Sequence, residues 1–314
     1  MALHNATELQ QYILKDIKQT GRNLGYGSFG RVEELIYAGA RCAGKIIHEK
    51  FKQTTTRKIK NEWHILAALR HPNIVQFLGI CYVPESDIPV LVIELLDKDL
   101  DTFLLERNTP SIVQKINILL DVAKGLVFLH SRSPSIIHCD LTARNVLLTS
   151  VLQAKISDLT NVHIIESNVL MRTLCTQSAT LAYMPPEAMD NPPNFDGKFD
   201  IFSFGHIALY VALQEYPYRL LVGDYKGRNG DNVGNEHECR GPYIEKLHAS
   251  FGPDHTITKL VMACLHDHPQ CRPSTSEVLD DLQKLYMEHH PTLQSLLEGI
   301  QVGLFVFNFA KPIL

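Results

Sequence analysis

The sequence predicts an α+β fold of two lobes, a small antiparallel β lobe carrying one main helix and a larger, mainly helical lobe. Three observations predict it. At 314 residues the chain exceeds the roughly 250–300 at which a single hydrophobic core stops growing, so two lobes are expected. The first third alternates short extended runs with glycine. The remainder is built from long apolar stripes recurring every three to four residues.

Each element follows in chain order. NLGYGSFGRVEELIYAG and ARCAGKIIH are extended runs separated by glycine, which suits neighbouring strands of a twisted antiparallel sheet. A helix comes next. In TRKIKNEWHILAALRH the apolar Ile59, Trp63, Leu66 and Leu69 recur at steps of three and four and share one buried face. NIVQFLGICYV and IPVLVIELL return to strand composition. Beyond DKDLD, the segment SIVQKINILLDVAKGLVFLH aligns Ile112, Ile116, Leu119, Val122, Leu126 and Leu129 in one stripe, and Ser111 after Pro110 is placed to cap it. Further helices are expected at DIFSFGHIALYVALQ, ITKLVMACLHD and SEVLDDLQKLYMEH, the last opened by Ser274 and Glu277 in capping-box spacing. GDYKGRNGDNVGNEHECRG, rich in glycine and charge, reads as a surface insertion. The expected organisation is an N-terminal extension over 1–19, a small lobe over 20–96, a large lobe over 97–288 and a tail over 289–314.

Composition narrows the function classes. A hydrophobic share of 45% with 20% charged residues is that of an ordinary globular protein. A net charge of -4 gives no electrostatic case for nucleic acid, and the lysines of HEKFKQTTTRKIKNEW read as a solvated helix face. The seven cysteines (42, 81, 139, 175, 239, 264, 271) are scattered, odd in number and without a C-x-x-C pair, which suits a reducing, cytoplasmic setting. His266, His268 and Cys271 find no second cluster to complete a four-ligand zinc site. The N-terminus lacks the basic start and apolar core of a signal peptide. VGLFVFNFA is apolar but falls short of the roughly 20 residues of a membrane helix.

Four groups of residues carry chemistry. Gly25, Gly27 and Gly30 make G-x-G-x-x-G, followed by Val32. A dinucleotide fold would need a helix directly afterwards, and a Walker loop would need Gly-Lys-Ser/Thr where Arg31 follows Gly30. What remains is a glycine hairpin whose backbone amides are free to approach phosphate oxygens. Lys45 lies in the apolar strand CAGKII, where a lysine must snorkel to solvent or find an anion, and Glu62 on the inward helix is placed to pair with it. Asp140 and Asn145 lie five apart in SIIHCDLTARNVLL, a spacing that taken alone is more often that of a turn than of a catalytic pair. Asp158 follows a third apolar strand in AKISDLT.

In this order the motifs resemble the protein kinase family, and the resemblance runs over roughly residues 20–288. It implies the bilobal kinase fold, ATP and magnesium (Mg2+) as cofactors, a protein substrate and phosphoryl transfer. By resemblance, Gly25, Gly27 and Gly30 cover the phosphates, and Val32 and Ala43 pack on the adenine, which pairs with a hinge over Ile93, Glu94 and Leu96. Lys45, oriented by Glu62, binds the α and β phosphates; Asp140 receives or orients the substrate hydroxyl proton; Asn145 and Asp158 hold magnesium. The resemblance also implies a buried pair of Glu187 with Arg272, an anchoring role for Asp200, and an apolar stack of Leu66, Phe77, His138 and Leu159.

Some positions depart from the family. Cys139 replaces the arginine before the catalytic aspartate, so activity is expected to depend little on phosphorylation at Thr173, Thr176, Ser178 or Thr180. Thr160 replaces a glycine, and a β-branched residue is strained at positive φ, which disfavours a flipped Asp158. Thr142 stands where serine/threonine kinases carry a lysine, and DLTARN supplies Arg144 instead, resembling the D-L-A-A-R-N of receptor-type tyrosine kinases; this favours a tyrosine acceptor and a place in the tyrosine kinase or tyrosine-kinase-like group. Thr180 and Tyr183 in ATLAYMPPE are serine/threonine-like. The rival class is a scaffold that keeps the fold without phosphoryl transfer. Nothing in the sequence bears on oligomeric state.

Overall fold

The computed structural model describes residues 12–27, 30–47, 63–82, 89–106, 109–164, 182–190, 195–215 and 241–290. Five strands, β1 (Lys18–Gly27), β2 (Gly30–Tyr37), β3 (Ala40–Ile47), β4 (Phe77–Tyr82) and β5 (Pro89–Glu94), pair antiparallel in the order β1-β2-β3-β5-β4. Leu35, Cys42, Ile46, Cys81, Val90 and Val92 form one apolar cluster of this sheet. Phe77 and Leu91 belong instead to the main core, together with Trp63 and Leu66 of helix α1, described over 63–68, and Leu69 just past its end. The expected stripe is therefore buried as far as it is described; Ile59 lies outside the described residues.

Edge strand β4 does not end the sheet. Leu14 N donates to Ile80 O at 2.7 Å and Ile80 N donates to Tyr12 O at 2.8 Å, so residues 12–14 join β4 as a short parallel segment. The Tyr12 ring meets Phe77 edge-on, centroids 5.7 Å apart. This close approach needs a glycine opposite. A Cβ at Gly79 would lie 2.6 Å from the Leu14 side chain and 2.7 Å from Tyr12 O. Gly79→Val is accordingly expected to displace residues 12–14 and to cost about 1–3 kcal/mol, the range for forcing atoms into a filled site. Denaturant melts and hydrogen exchange at the Ile80 amide check this; an unchanged midpoint with a protected amide would refute it.

The second lobe contains α2 (Leu100–Leu105), α3 (Ile112–His130), α4 (Gly197–Leu213), α5 (Gly241–Phe251), α6 (Thr256–Cys264) and α7 (Thr275–Glu288). Ser111 caps α3 in a capping box with Gln114, and Ser274 caps α7 in one with Glu277. Along α3 the residues Ile116, Leu119, Val122, Leu126 and Leu129 are buried, with Ile112 only partly so at its first turn. Helix α4 is buried on every side from Phe199 to Ala212, because it packs against α3, α5 and α6 at once. None of the described helices is long and apolar enough to cross a membrane.

Five further short strands occur among the described residues: β6 (Lys98–Asp99), β7 (Ile136–Ile137), β8 (Val146–Leu148), β9 (Ala154–Ile156) and β10 (His163–Ile164). They pair antiparallel as β6-β8-β9 and β7-β10. The β7–β8 and β9–β10 connections carry the polar residues that the sequence singles out.

Candidate active site

The β7–β8 loop is held from beneath. Asp200, fully buried in the first turn of α4, accepts from His138 N at 2.8 Å and Cys139 N at 3.0 Å, and contacts His130 Nε2 at 2.8 Å. Burial alone would raise its carboxyl, but the bonds and charge of His130 and His138 outweigh that and hold it below the usual carboxylate range. The loop needs such a hold, since Cys139 takes φ 60, a left-handed conformation in which a side chain is strained. His138 is buried, and its Nε2 meets Ser157 O at 2.9 Å, which ties the loop to the residue before Asp158.

Asp140 and Asn145 form one unit. Asn145 Nδ2 donates to Asp140 O at 2.7 Å, while Asn145 O accepts from Ser157 N at 2.8 Å. Asp158 itself lies in the left-handed region, φ 58, at the start of a 3-10 turn over Leu159–Asn161. Lys45 Nζ donates to Asp158 Oδ1 at 2.8 Å and to Thr160 Oγ1 at 2.9 Å, and Thr160 also hydrogen-bonds Asp158. Asn161 Nδ2 donates to Asp140 Oδ2 at 3.1 Å.

These contacts drive the two carboxylates apart in acidity. Burial, then the charge of Asp158, push Asp140 up to about 6. Burial also works to raise Asp158, but Lys45, by charge and hydrogen bond, and Thr160 hold it at about 2. One carboxylate is thus able to take a proton near neutral pH, and the other stays an anion.

Lys45, Asp140, Asn145, Asp158 and Asn161 line one cavity of about 710 Å³, within the range of small-ligand sites. The sheet supplies Gly25, Gly30, Val32, Ala43 and Lys45 and, at the end of β5, Ile93 and Glu94; the link that follows supplies Leu96, and the large lobe supplies Asp140, Arg144, Asn145 and Asp158. Gly27 ends β1 opposite Gly30, at a hairpin whose tip, 28–29, lies outside the described residues. Glu62 lies outside them too, as do Thr173, Thr176, Ser178 and Thr180. Among the described residues, Lys45 bonds to Asp158 and Thr160. Asp158, with its side chain 35% exposed, and the carboxamide of Asn145 present oxygen donors on the cavity wall, a set that suits a hard divalent cation.

Other expectations meet the structure unevenly. Leu66, Phe77, His138 and Leu159 are all buried, and Glu187 pairs with buried Arg272. The strain expected at Thr160 concerns a flipped Asp158; in the arrangement described here the positive angles of these two loops fall on Cys139 and Asp158, and Thr160 sits within the 3-10 turn. Its visible part is played by its hydroxyl. Arg144 Nε donates to Asp101 Oδ2 at 3.1 Å with the side chain 67% exposed, and Asp101 Oδ1 accepts from Tyr210 OH at 3.0 Å. The Glu94 carboxylate is held by Lys155 Nζ at 2.7 and 2.9 Å and by Gln76 N at 2.7 Å, so the link between the lobes is fastened to β9. Sequence reasoning missed Asp101, Lys155 and Asn161. Only Asn161 carried a signal, as a polar residue three positions past Asp158.

The sequence profile of the protein kinase domain matches residues 18–282. Among similar proteins, the serine/threonine-protein kinase VIK of Arabidopsis thaliana is 30% identical over 278 residues, which cover 85% of this chain and 60% of VIK. The dual specificity protein kinase shkE of Dictyostelium discoideum is 26% identical over 295 residues, 92% of this chain and 39% of shkE. The seven transmembrane domain-containing tyrosine-protein kinase 1 of the same organism is 30% identical over 278 residues, 84% of this chain and 38% of that protein. The chain thus spans between 38% and 60% of the length of these relatives.

Proposed function

The chain belongs to the protein kinase family, and on that premise we propose that it transfers the γ-phosphoryl group of ATP, with magnesium, to a protein hydroxyl, tyrosine being the favoured acceptor. The observation that carries this reading is the convergence of Lys45, Asp140, Asn145 and Asp158 on one cavity, with one carboxyl group made less acidic and the other more acidic than usual.

In this reading the backbone of Gly25, Gly27 and Gly30 covers the phosphates. Val32, Ala43, Ile93 and Leu96 enclose the adenine, and the backbone at Glu94 and Leu96 meets its polar edge. Lys45 neutralises the α and β phosphates, with Glu62 as its orienting partner. Asp140 accepts the acceptor's proton as the hydroxyl oxygen bonds to the γ-phosphorus and the bond from that phosphorus to the β–γ bridging oxygen breaks. Asn145 and Asp158 would hold the metal, and magnesium bound there would offset negative charge on the phosphates. Arg144 stands at the rim, bonded to Asp101, as the cation in place of the lysine that Thr142 replaces. We assign the kinase domain to 20–288, divided at 96, and 289–314 to a tail. A cytoplasmic setting fits the free thiols of Cys42, Cys81, Cys139, Cys264 and Cys271.

The DLTARN loop supports tyrosine and a place in the tyrosine kinase or tyrosine-kinase-like group. A second reading, serine/threonine, is favoured by Thr180 and Tyr183 and by the printed names of relatives such as VIK. The test is incubation with γ-labelled ATP, magnesium and a mixed peptide library, followed by phosphoamino acid analysis. Labelled phosphotyrosine is expected. Label confined to phosphoserine and phosphothreonine would replace the first reading by the second, and no transfer at all would leave a scaffold.

A further inference from the structure

We propose that Asn161 is a positioning residue for phosphoryl transfer: its carboxamide holds the Asp140 carboxylate in the orientation that receives the acceptor's proton. The inference rests on the reading of Asp140 as proton acceptor and goes beyond it to the residue that aims it. Asn161 Nδ2 donates to Asp140 Oδ2 at 3.1 Å, and both residues line the same cavity.

The backbone on either side of Asp140 is already held. Cys139 N bonds to Asp200 at 3.0 Å, Asp140 N to His138 Nδ1 at 3.3 Å, and Asp140 O accepts from Asn145 at 2.7 Å. None of these bonds sets the last torsion of the carboxylate, which is broad and roughly two-fold for Asp. A donor to one oxygen removes that freedom and turns the other oxygen to its task. Asn suits the duty because its carboxamide donates without carrying charge and without competing for the proton. Catalytic groups need to be held within about 0.5 Å and 10–20° of the productive geometry, so one such bond has a large effect on rate.

The placement of Asn161 adds a dependence on the neighbouring turn. Asn161 belongs to the 3-10 turn over Leu159–Asn161, directly after Asp158, and Thr160 in the same turn accepts from Lys45 Nζ at 2.9 Å. A single turn of chain therefore touches the lysine of the small lobe through one side chain and the carboxylate of the large lobe through the next. Asp140 is aimed only while that turn, and Asp158 with it, is in the arrangement seen here.

The test compares Asn161→Leu, which keeps the side-chain volume and loses the donor, and Asn161→Ala, which suits a helical turn, in the parent and in the Asp140→Asn background. Single-turnover transfer from γ-labelled ATP, ATP affinity and melting temperature are measured for each. In the parent both substitutions are expected to lower turnover by about 10- to 100-fold, the scale of a hydrogen bond to a charged group. ATP affinity should change less than about two-fold and melting little, as expected for a bond that matters to the chemical step alone. In the Asp140→Asn background neither should lower the residual rate further. Unchanged turnover of both variants beside a crippled Asp140→Asn would overturn the inference and leave the reading of Asp140 standing. Equal losses in both backgrounds would also overturn it, by showing a structural role. An Asp140→Asn protein as active as the parent would remove the reading of Asp140, and the inference with it.

Discussion

Asp140→Asn is expected to leave the fold and ATP binding intact and to lower turnover by about two orders of magnitude or more, the scale on which a positioned acid or base contributes. The reason is local. The loop around residue 140 is held by Asp200 and His138 through backbone and ring contacts, and by the bond from Asn145 to Asp140 O, none of which uses the carboxylate. A carboxamide has the same shape and still offers Asn161 an oxygen. What it lacks is basicity. Stability should move the other way, if at all. Burial raises the Asp140 carboxyl to about 6, above its unfolded value, so above that pH the fold carries an ion it disfavours, and a neutral side chain removes that cost. Single-turnover transfer, calorimetric ATP binding and a thermal melt at neutral pH check the three parts. Undiminished turnover would take Asp140 out of the chemistry.

Arg272→Met is expected to destabilise the large lobe by about 3–5 kcal/mol, the cost of leaving a buried partner charge uncompensated. Arg272 has no exposed side-chain surface, and each of its five N–H groups has an acceptor. Nη1 donates to Glu187 Oε1 at 2.5 Å and to Lys198 O at 3.0 Å, Nη2 to Glu187 Oε2 at 2.8 Å and to Asp267 O at 3.0 Å, and Nε to His266 O at 2.7 Å. The guanidinium also lies 4.7 Å from the centre of the Phe202 ring. One side chain thus joins the 3-10 turn over Pro186–Met189, the start of α4 and the segment before α7. Methionine fills the volume and leaves the Glu187 carboxylate and three carbonyls without these donors. Replacing Glu187 by Met as well should recover much of the loss, because the desolvated ion is then gone. Denaturant midpoints of the two variants decide this; a single variant within about 1 kcal/mol of the parent would mean that the pair contributes little.

The success of the sequence reading tracks the range of the interaction. Ser111 with Gln114 and Ser274 with Glu277 are caps formed within four residues, and their pattern is complete in the chain itself. The stripe along α3 and the glycine-punctuated strands of the main sheet are likewise local periodicities. The longer pairings, Glu187 with Arg272 and Asp200 with the β7–β8 loop, were legible only through the resemblance, since 85 and 62 residues separate the partners. The sequence offered no sign that residues 12–14 would join β4, because one unpaired strand edge is chemically like another until packing leaves Gly79 open opposite Leu14. Two-residue strands such as β6 and β10 are too short for any period to show.

What this sequence determined by itself is the α+β class and the two lobes, which depend on residue type and short spacing, while the candidate site residues were named through the family resemblance. Tertiary structure decided how those groups meet. It set Lys45 against Asp158 across 113 residues, Arg144 against Asp101 across 43, and Asn161 against Asp140 across 21. It also decided acidity: Asp140 and Asp158 are the same residue type, yet burial beside a like charge raises one to about 6 while an ion pair with Lys45 holds the other at about 2. Spacing along a chain specifies what a helix or strand repeats every few residues, whereas contact, desolvation and charge depend on distances that exist only once the chain has closed on itself.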